Sequence, residues 1–197
     1  MLQINDLDYH YQHLQIFAHL NMGLTGPRHC ISGANGLGKS TLLTIIAQLQ
    51  TPSRGSVLLH GKSVSASQVA LASDSISFPP FLSAADILKT SADMYQCDWP
   101  IAIVEGFRFV EHIHKRVDEL SAGNLKKLQL INALMRQCEV LLVDEPNIAL
   151  DASSLAFMWS VFNDYSGMIV AATNEPALFV DKGYVVTDLN TLVQHTA

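Results

Sequence analysis

The chain has 197 residues, 49% of them hydrophobic, which suffices for one globular domain with an ample core and predicts no second domain. Twelve Lys and Arg against 18 Asp and Glu give a net charge of −6 without any basic cluster, which argues against a nucleic-acid-binding face. No apolar run approaches the ~18 residues needed to cross a bilayer, so the chain is expected to be soluble or peripheral to a membrane. In chain order, Leu2 to Tyr11 and Leu14 to Leu20 carry the alternating, β-branched and aromatic character of strands and predict a small antiparallel sheet. His29 to Ser32 reads as a short strand that runs into a glycine-rich loop, and Leu42 to Leu49 as the apolar helix beyond it. Thr51 to Gly55 is turn-like, Ser56 to Leu59 a strand ended by His60-Gly61, and Val69 to Ala72 another short strand. Phe78-Pro79-Pro80-Phe81 breaks the pattern; Ala84 to Tyr95 and Ile101 to Val110 then predict a helical insert over about 80–120, split by Asp98-Trp99-Pro100. Ser121 to Gln137 reads as a strongly amphipathic helix, Val140 to Val143 as a buried strand, Ser153 to Phe162 as a helix and Met168 to Ala172 as a second buried strand. Such alternation predicts an α/β fold, a mostly parallel sheet with helices on both faces.

The run Gly33-Ala34-Asn35-Gly36-Leu37-Gly38-Lys39-Ser40-Thr41 fits G-x-x-x-x-G-K-[ST] in full, with a strand before it and a helix after it. A polyphosphate must be wrapped by backbone N–H groups, and small or glycine residues let the main chain come that close. Lys39 would reach the β- and γ-phosphates, Ser40 would hold Mg²⁺, and the helix would aim its positive end at the phosphates. The pattern predicts that the chain binds a nucleoside triphosphate. The second site is Val140-Leu141-Leu142-Val143-Asp144-Glu145-Pro146, an apolar strand that delivers two carboxylates at its C-terminal end, where ligands bind in open α/β sheets. Asp144 would hold the Mg²⁺ shell, while Glu145 would orient or deprotonate the attacking water.

With both motifs in order, the chain resembles the nucleotide-binding domain of an ABC ATPase over nearly its whole length. Leu120-Ser121-Ala122-Gly123-Asn124 sits where that family carries Leu-Ser-Gly-Gly-Gln, followed by the basic Lys126-Lys127, and Ala149-Leu150-Asp151 looks like the family's D-loop. The resemblance implies a P-loop NTPase core of RecA-like type, an N-terminal antiparallel β subdomain and a small helical subdomain. It also implies a dimer, homomeric or with another ABC ATPase, that sandwiches ATP between the Gly33–Thr41 loop of one subunit and Ser121 and Gly123 of the other, with Asp151 reaching across the interface. Ser121 also suits a helix cap, and both roles are compatible. An aromatic that stacks on adenine is expected in the early sheet, at Tyr11 or else Tyr9, though either also suits strand packing.

Departures from the family pattern bear on turnover. Asn174, in Thr173-Asn174-Glu175, stands where the family has a switch histidine; an Asn side chain donates hydrogen bonds but cannot carry a proton or a positive charge, so slower hydrolysis is expected. Asp74 occupies the place of the Q-loop glutamine and adds a negative charge near the triphosphate. Glu145, Asn174 and Asp74 are thus the candidate catalytic residues. The resemblance implies an ATP-binding subunit docked on the cytoplasmic face of separate transmembrane permease subunits, with Asp74 to Ala85, including Phe78 and Phe81, as the surface that receives them. The chain is short and is loosely similar to compact subunits such as the ATPase of the bacterial heme exporter. The alternative is a nucleotide-gated regulatory module with little turnover, or a degenerate half of a heterodimeric ATPase.

The remaining chemistry-bearing residues read blandly. Cys30, Cys97 and Cys138, in a chain without a signal-peptide pattern, predict reduced thiols in a cytosolic compartment. His10, His13, His19 and His29, like His112 and His114, lack the companions of a metal site and are expected to be solvated or in the core. Met94, Met135 and Met158 read as core filler. A mean hydropathy of +0.22 at 15% charged residues suggests that a partner covers some apolar surface.

Overall fold

The computed structural model describes residues 1–192. Its first two strands, β1 (Leu2–Tyr11) and β2 (Leu14–Leu24), form a long antiparallel hairpin, and β2 runs four residues beyond the expected end at Leu20. Leu2, Ile4 and Leu7 are all buried although the spacing changes from two to three. A register shift between Ile4 and Leu7, with Asp6 at φ 48°, restores the phase, as a β-bulge does. On β2, His19 at φ 52° serves the same end, so that Phe17, Leu20, Met22 and Leu24 share the buried face.

The chain continues through β3 (Arg28–Ser32), α1 (Lys39–Ile46), β4 (Arg54–Leu59), β5 (Lys62–Ser63), β6 (Val69–Ala72), α2 (Ala84–Tyr95), α3 (Ile101–Gly106), α4 (Ala122–Leu134), β7 (Val140–Asp144), α5 (Ala152–Asp164), β8 (Met168–Thr173), α6 (Ala177–Val180) and β9 (Val185–Asp188). An antiparallel sheet has the order β2-β1-β4-β5, and a five-stranded parallel sheet the order β6-β7-β8-β3-β9. Along the parallel strands alternate residues face opposite layers. Ile31, Val140, Leu142, Val170 and Ala172 join α1 and the antiparallel sheet in one core, while Cys30, Leu141, Val143, Ile169 and Ala171 join α2 to α6 in another. The expected α/β class, the antiparallel sheet and the helical insert are all present.

Four expectations need correction. The helix after the loop begins at Lys39 and stops at Ile46, because Gln48 takes a left-handed φ of 62° and Leu49 turns to solvent. The helix from Ile101 ends at Gly106 rather than Val110: Phe107 and Phe109 both bury fully, which residues two apart on a helix cannot do on one face, and Arg108 at φ 54° breaks the helix between them. The segment expected to be amphipathic, α4, is instead buried almost all round, since Lys126, Lys127 and Gln129 are as enclosed as Leu128, Leu130 and Ile131. Beyond Asn174, α6 and β9 were not expected; β9 has only four residues and pairs with β3 at the sheet edge.

Gly55 is a position that admits no other residue comfortably. It lies at φ 89° within β4, and an added Cβ would stand 2.5 Å from the carbonyl oxygens of Asn5 and Asp6, where β1 also shifts register against β4. Backbone atoms cannot swing aside as a side chain can. Gly55→Ala is expected to lower stability by about 1–3 kcal/mol in urea unfolding without loss of the fold.

Candidate functional site

Residues 33–38 connect the C-terminal end of β3 to α1, and their shape depends on glycine. Gly36 and Gly38 have φ of 85° and 92°. A Cβ on Gly38 would lie 2.6 Å from Ile16 Cγ2 and 2.8 Å from Phe17 Cζ, so the β1–β2 hairpin packs directly beneath the loop. Gly38 is also the residue that precedes α1, and no side chain among the described residues accepts a hydrogen bond from the first turn there. Those N–H groups and the helix dipole therefore form a site for an anion. Lys39 is buried, with Nζ donating to the carbonyl oxygens of Gly33 at 2.7 Å and Ala34 at 3.2 Å, which fixes the ammonium inside the loop. Asn35 and Ser40 are exposed and Thr41 is half-buried.

Parallel pairing brings the other chemistry to the same sheet edge. Ser32 pairs with Thr173, and Asp144 with Ala172, so the ends of β3, β8 and β7 lie side by side. Asp144 is buried; its Oδ2 accepts from Ser73 Oγ at 2.8 Å, while Oδ1 has no hydrogen-bond partner among the described residues. Lys126 Nζ donates to the Asp144 carbonyl oxygen at 3.3 Å. Glu145 takes a left-handed φ of 43°, and its N–H donates to the Ala172 carbonyl oxygen at 2.8 Å. Both of its carboxylate oxygens are held: Oε2 accepts from Thr173 Oγ1 at 2.8 Å and Oε1 from the Asn174 N–H at 3.0 Å. The Asn174 amide donates at 3.5 Å to Asn35 Oδ1, a long bond that spans from β8 to the glycine loop.

The donor set suits a hard divalent cation. Asp144 offers one unengaged carboxylate oxygen and Ser40 a hydroxyl, and no group of three or more His, Cys, Asp or Glu among the described residues could hold a metal unaided. A cation there would have two protein ligands and take the rest from phosphate and water, the mode that Mg²⁺ favours.

The other expected residues form a second group. Ser121 precedes α4 and accepts from the Asn124 N–H at 3.3 Å, in the manner of an N-cap. A Cβ on Gly123 would stand 2.5 Å from the Ala149 carbonyl oxygen, so the glycine lets α4 touch the chain just before α5. Asp151 caps α5: it accepts from the Ser154 N–H at 2.8 Å, from Ser153 Oγ at 2.6 Å and from Lys127 Nζ at 2.8 Å. Its carboxylate is thus engaged within its own chain. Asp74 lies on the loop after β6, mostly exposed, and pairs with Lys126 at 2.8 Å. Tyr11 is at the tip of the β1–β2 hairpin and 60% exposed, whereas Tyr9 packs against the core. Ser73, Lys126 and Thr173 were not anticipated as site residues; the available signal was their position, Ser73 and Thr173 at the C-terminal ends of strands that flank β7 and β3.

Of the methionines expected in the core, Met135 and Met158 are buried, but Met94 is 67% exposed on α2 and fills no core. The three cysteines are free, and burial, with a smaller contribution from the Glu145 charge, pushes the Cys30 thiol up to about 12, so it is inert. His29 is buried and disfavours its charged form, while His19 pairs with Asp6 at 2.6 Å on the surface.

The family model for ABC transporter matches residues 19–147, which runs from β2 through the glycine loop to the Asp144-Glu145 pair. The chain belongs to the ABC transporter family. Members bind and hydrolyse ATP on behalf of transport, and this chain is an ATP-binding subunit of that kind. It is 29% identical over 194 residues to an uncharacterised ABC transporter ATP-binding protein of Haemophilus influenzae, covering 90% of this chain and 78% of that one. It is 32% identical over 161 residues to the cytochrome c biogenesis ATP-binding export protein CcmA of Legionella pneumophila, covering 76% and 78%. A solved ATP-binding subunit of an ABC transporter superposes with a TM-score of 0.84 at 19% identity over 95% of this chain and 85% of that one, which establishes the shared fold.

The hydrogen bond from Lys127, then those from Ser153 and Ser154, hold the Asp151 carboxyl well below the ordinary carboxylate range. A depressed carboxyl contributes stability above its unfolded pKa of ~3.9 and loses it as pH falls toward the folded value. Asp151→Asn should therefore lower the unfolding midpoint at neutral pH and narrow its gap to the native chain between pH ~4 and ~2, as read from thermal melts across that range.

Proposed function

We propose that the chain binds ATP with Mg²⁺ along the C-terminal edge of its parallel sheet and hydrolyses it there. The whole chain acts as one nucleotide-binding unit. The Gly33–Thr41 loop wraps the phosphates, Lys39 turns toward the β- and γ-phosphates, and Ser40 and Asp144 would hold the cation, which when bound would supply Lewis-acid withdrawal of charge from the phosphates. Glu145 orients the attacking water and accepts its proton; Thr173 and the Asn174 N–H fix the direction of that carboxylate. The observation that carries this reading is the arrival of Asp144 and Glu145, on one strand end, beside a complete phosphate loop.

Two such chains, or this one and a second ABC ATPase, enclose the nucleotide. Ser121 and Gly123 meet the γ-phosphate held by the opposite subunit, Asp151 lies near that interface, and Tyr11, exposed at its hairpin tip, stacks on adenine. No helix among the described residues is long and apolar enough to cross a membrane. The work is delivered to separate permease subunits at the cytoplasmic face of the membrane, as in the ATP-binding proteins this chain resembles. Closure on ATP and reopening after hydrolysis drive them. Asn174 favours a second reading, in which binding gates a partner and turnover is slight, since its exposed amide cannot replace a protonatable imidazole.

Steady-state hydrolysis and nucleotide binding distinguish the two. Lys39→Ala is expected to abolish ATP binding. Glu145→Gln should preserve binding and lower turnover about 10²-fold or more, the size of a lost general base. Asn174→His should raise turnover. ATP binding without Glu145-dependent hydrolysis, alone or with the permease, would select the gating reading.

A further inference from the structure

Lys126 is a charge with little access to water. Its side chain is 4% exposed on a helix whose neighbours are core residues, and its acceptors among the described residues are Asp74 Oδ1 at 2.8 Å and the Asp144 carbonyl oxygen at 3.3 Å. A buried ammonium is retained only where a partner offsets its desolvation. The partner here is a carboxylate on the loop after β6, one residue beyond Ser73, whose hydroxyl binds Asp144 Oδ2. Asp74 and Asp144 are thus tied to the same short segment, Asp144 through Ser73, and Lys126 joins the Asp74 carboxylate to the Asp144 carbonyl oxygen.

We propose that the Asp74–Lys126 pair sets the cation demand of the nucleotide site: Lys126 neutralises Asp74 and withholds it from acting as a second carboxylate ligand beside Asp144. Lys126 is a positioning residue, since it acts through Asp74 and through the carbonyl that anchors the end of β7. The inference rests on the reading that Asp144 holds the cation of Mg-ATP. Removing Lys126 frees an acidic group next to the metal and strengthens the pull on a cation. Neutralising Asp74 leaves an uncompensated ammonium beside Asp144 and weakens it. The two single changes therefore act in opposite directions, and the neutral pair restores the balance.

The test is the Mg²⁺ concentration for half-maximal ATPase activity at saturating ATP, in the full chain and in Lys126→Gln, Lys126→Arg, Asp74→Asn and the Asp74→Asn/Lys126→Gln double variant. Fluorescent ATP binding without Mg²⁺ and thermal midpoints are recorded alongside. Lys126→Gln is expected to lower the half-saturating Mg²⁺ several-fold and Asp74→Asn to raise it several-fold, with the double variant and Lys126→Arg within twofold of the native value. Shifts in the same direction, or no shift in soluble, ATP-binding variants, overturn the proposal; so does a loss of thermal midpoint without a change in Mg²⁺ demand. A native chain that binds ATP with no dependence on Mg²⁺ or Asp144 would instead overturn the reading of the site beneath it.

Discussion

The parallel register of β3, β8 and β7 is the constraint on which the rest of the structure depends. Because Ser32 is level with Thr173, and Asp144 with Ala172, each strand ends at the same edge, and the residue that follows each strand enters the same space. A slip of one residue would end the pairing of Asp144 with Ala172 and separate Glu145 from Thr173 and the Asn174 N–H that hold it. Val140 to Val143 and Ile169 to Ala172 are fully buried, as strands covered on both faces of a parallel sheet must be. Stability of the sheet and placement of the chemistry are one requirement.

Polar groups near that edge are fixed by compensation rather than by exposure. Glu145 spends both oxygens on Thr173 and the Asn174 N–H, Lys39 meets two loop carbonyls, Lys127 meets Asp151, and Lys126 bridges Asp74 and the Asp144 carbonyl. Buried polar groups need partners, and here the partners come from different elements, so each bond also joins two elements. Lys127 and Asp151 connect α4 to α5; Lys126 connects α4 to β7 and the loop after β6. The small residue at Gly123 permits the same approach sterically, with Ala149 close against it. The C-terminal edge of the parallel sheet is therefore linked to the helical layer through specific contacts.

The parts of this arrangement that were legible in the sequence are those with a local cause. The glycine loop declares itself because positive φ and close approach demand glycine at 36 and 38, and β7 because a strand buried on both faces must be continuously apolar. The end of α3 was missed since Phe107 and Phe109 look compatible with a helix until both must enter one core. The character of α4 was missed since its lysines suggest a solvated face, whereas carboxylates distant in sequence take them in. β9 escaped notice as a four-residue edge strand whose only strong determinant is pairing with β3. Ser73 and Thr173 carry no sequence signal beyond position, because what gives them a role is the side chain opposite.

The most direct measurement is a crystal structure of the Glu145→Gln chain with ATP and Mn²⁺, the cation located by anomalous scattering. The account predicts the anomalous peak between the Ser40 hydroxyl and Asp144, and Lys39 Nζ turned from the Gly33 and Ala34 carbonyl oxygens onto the phosphates. A triphosphate that leaves Lys39 on those carbonyls, or a cation bound away from the end of β7, would contradict it.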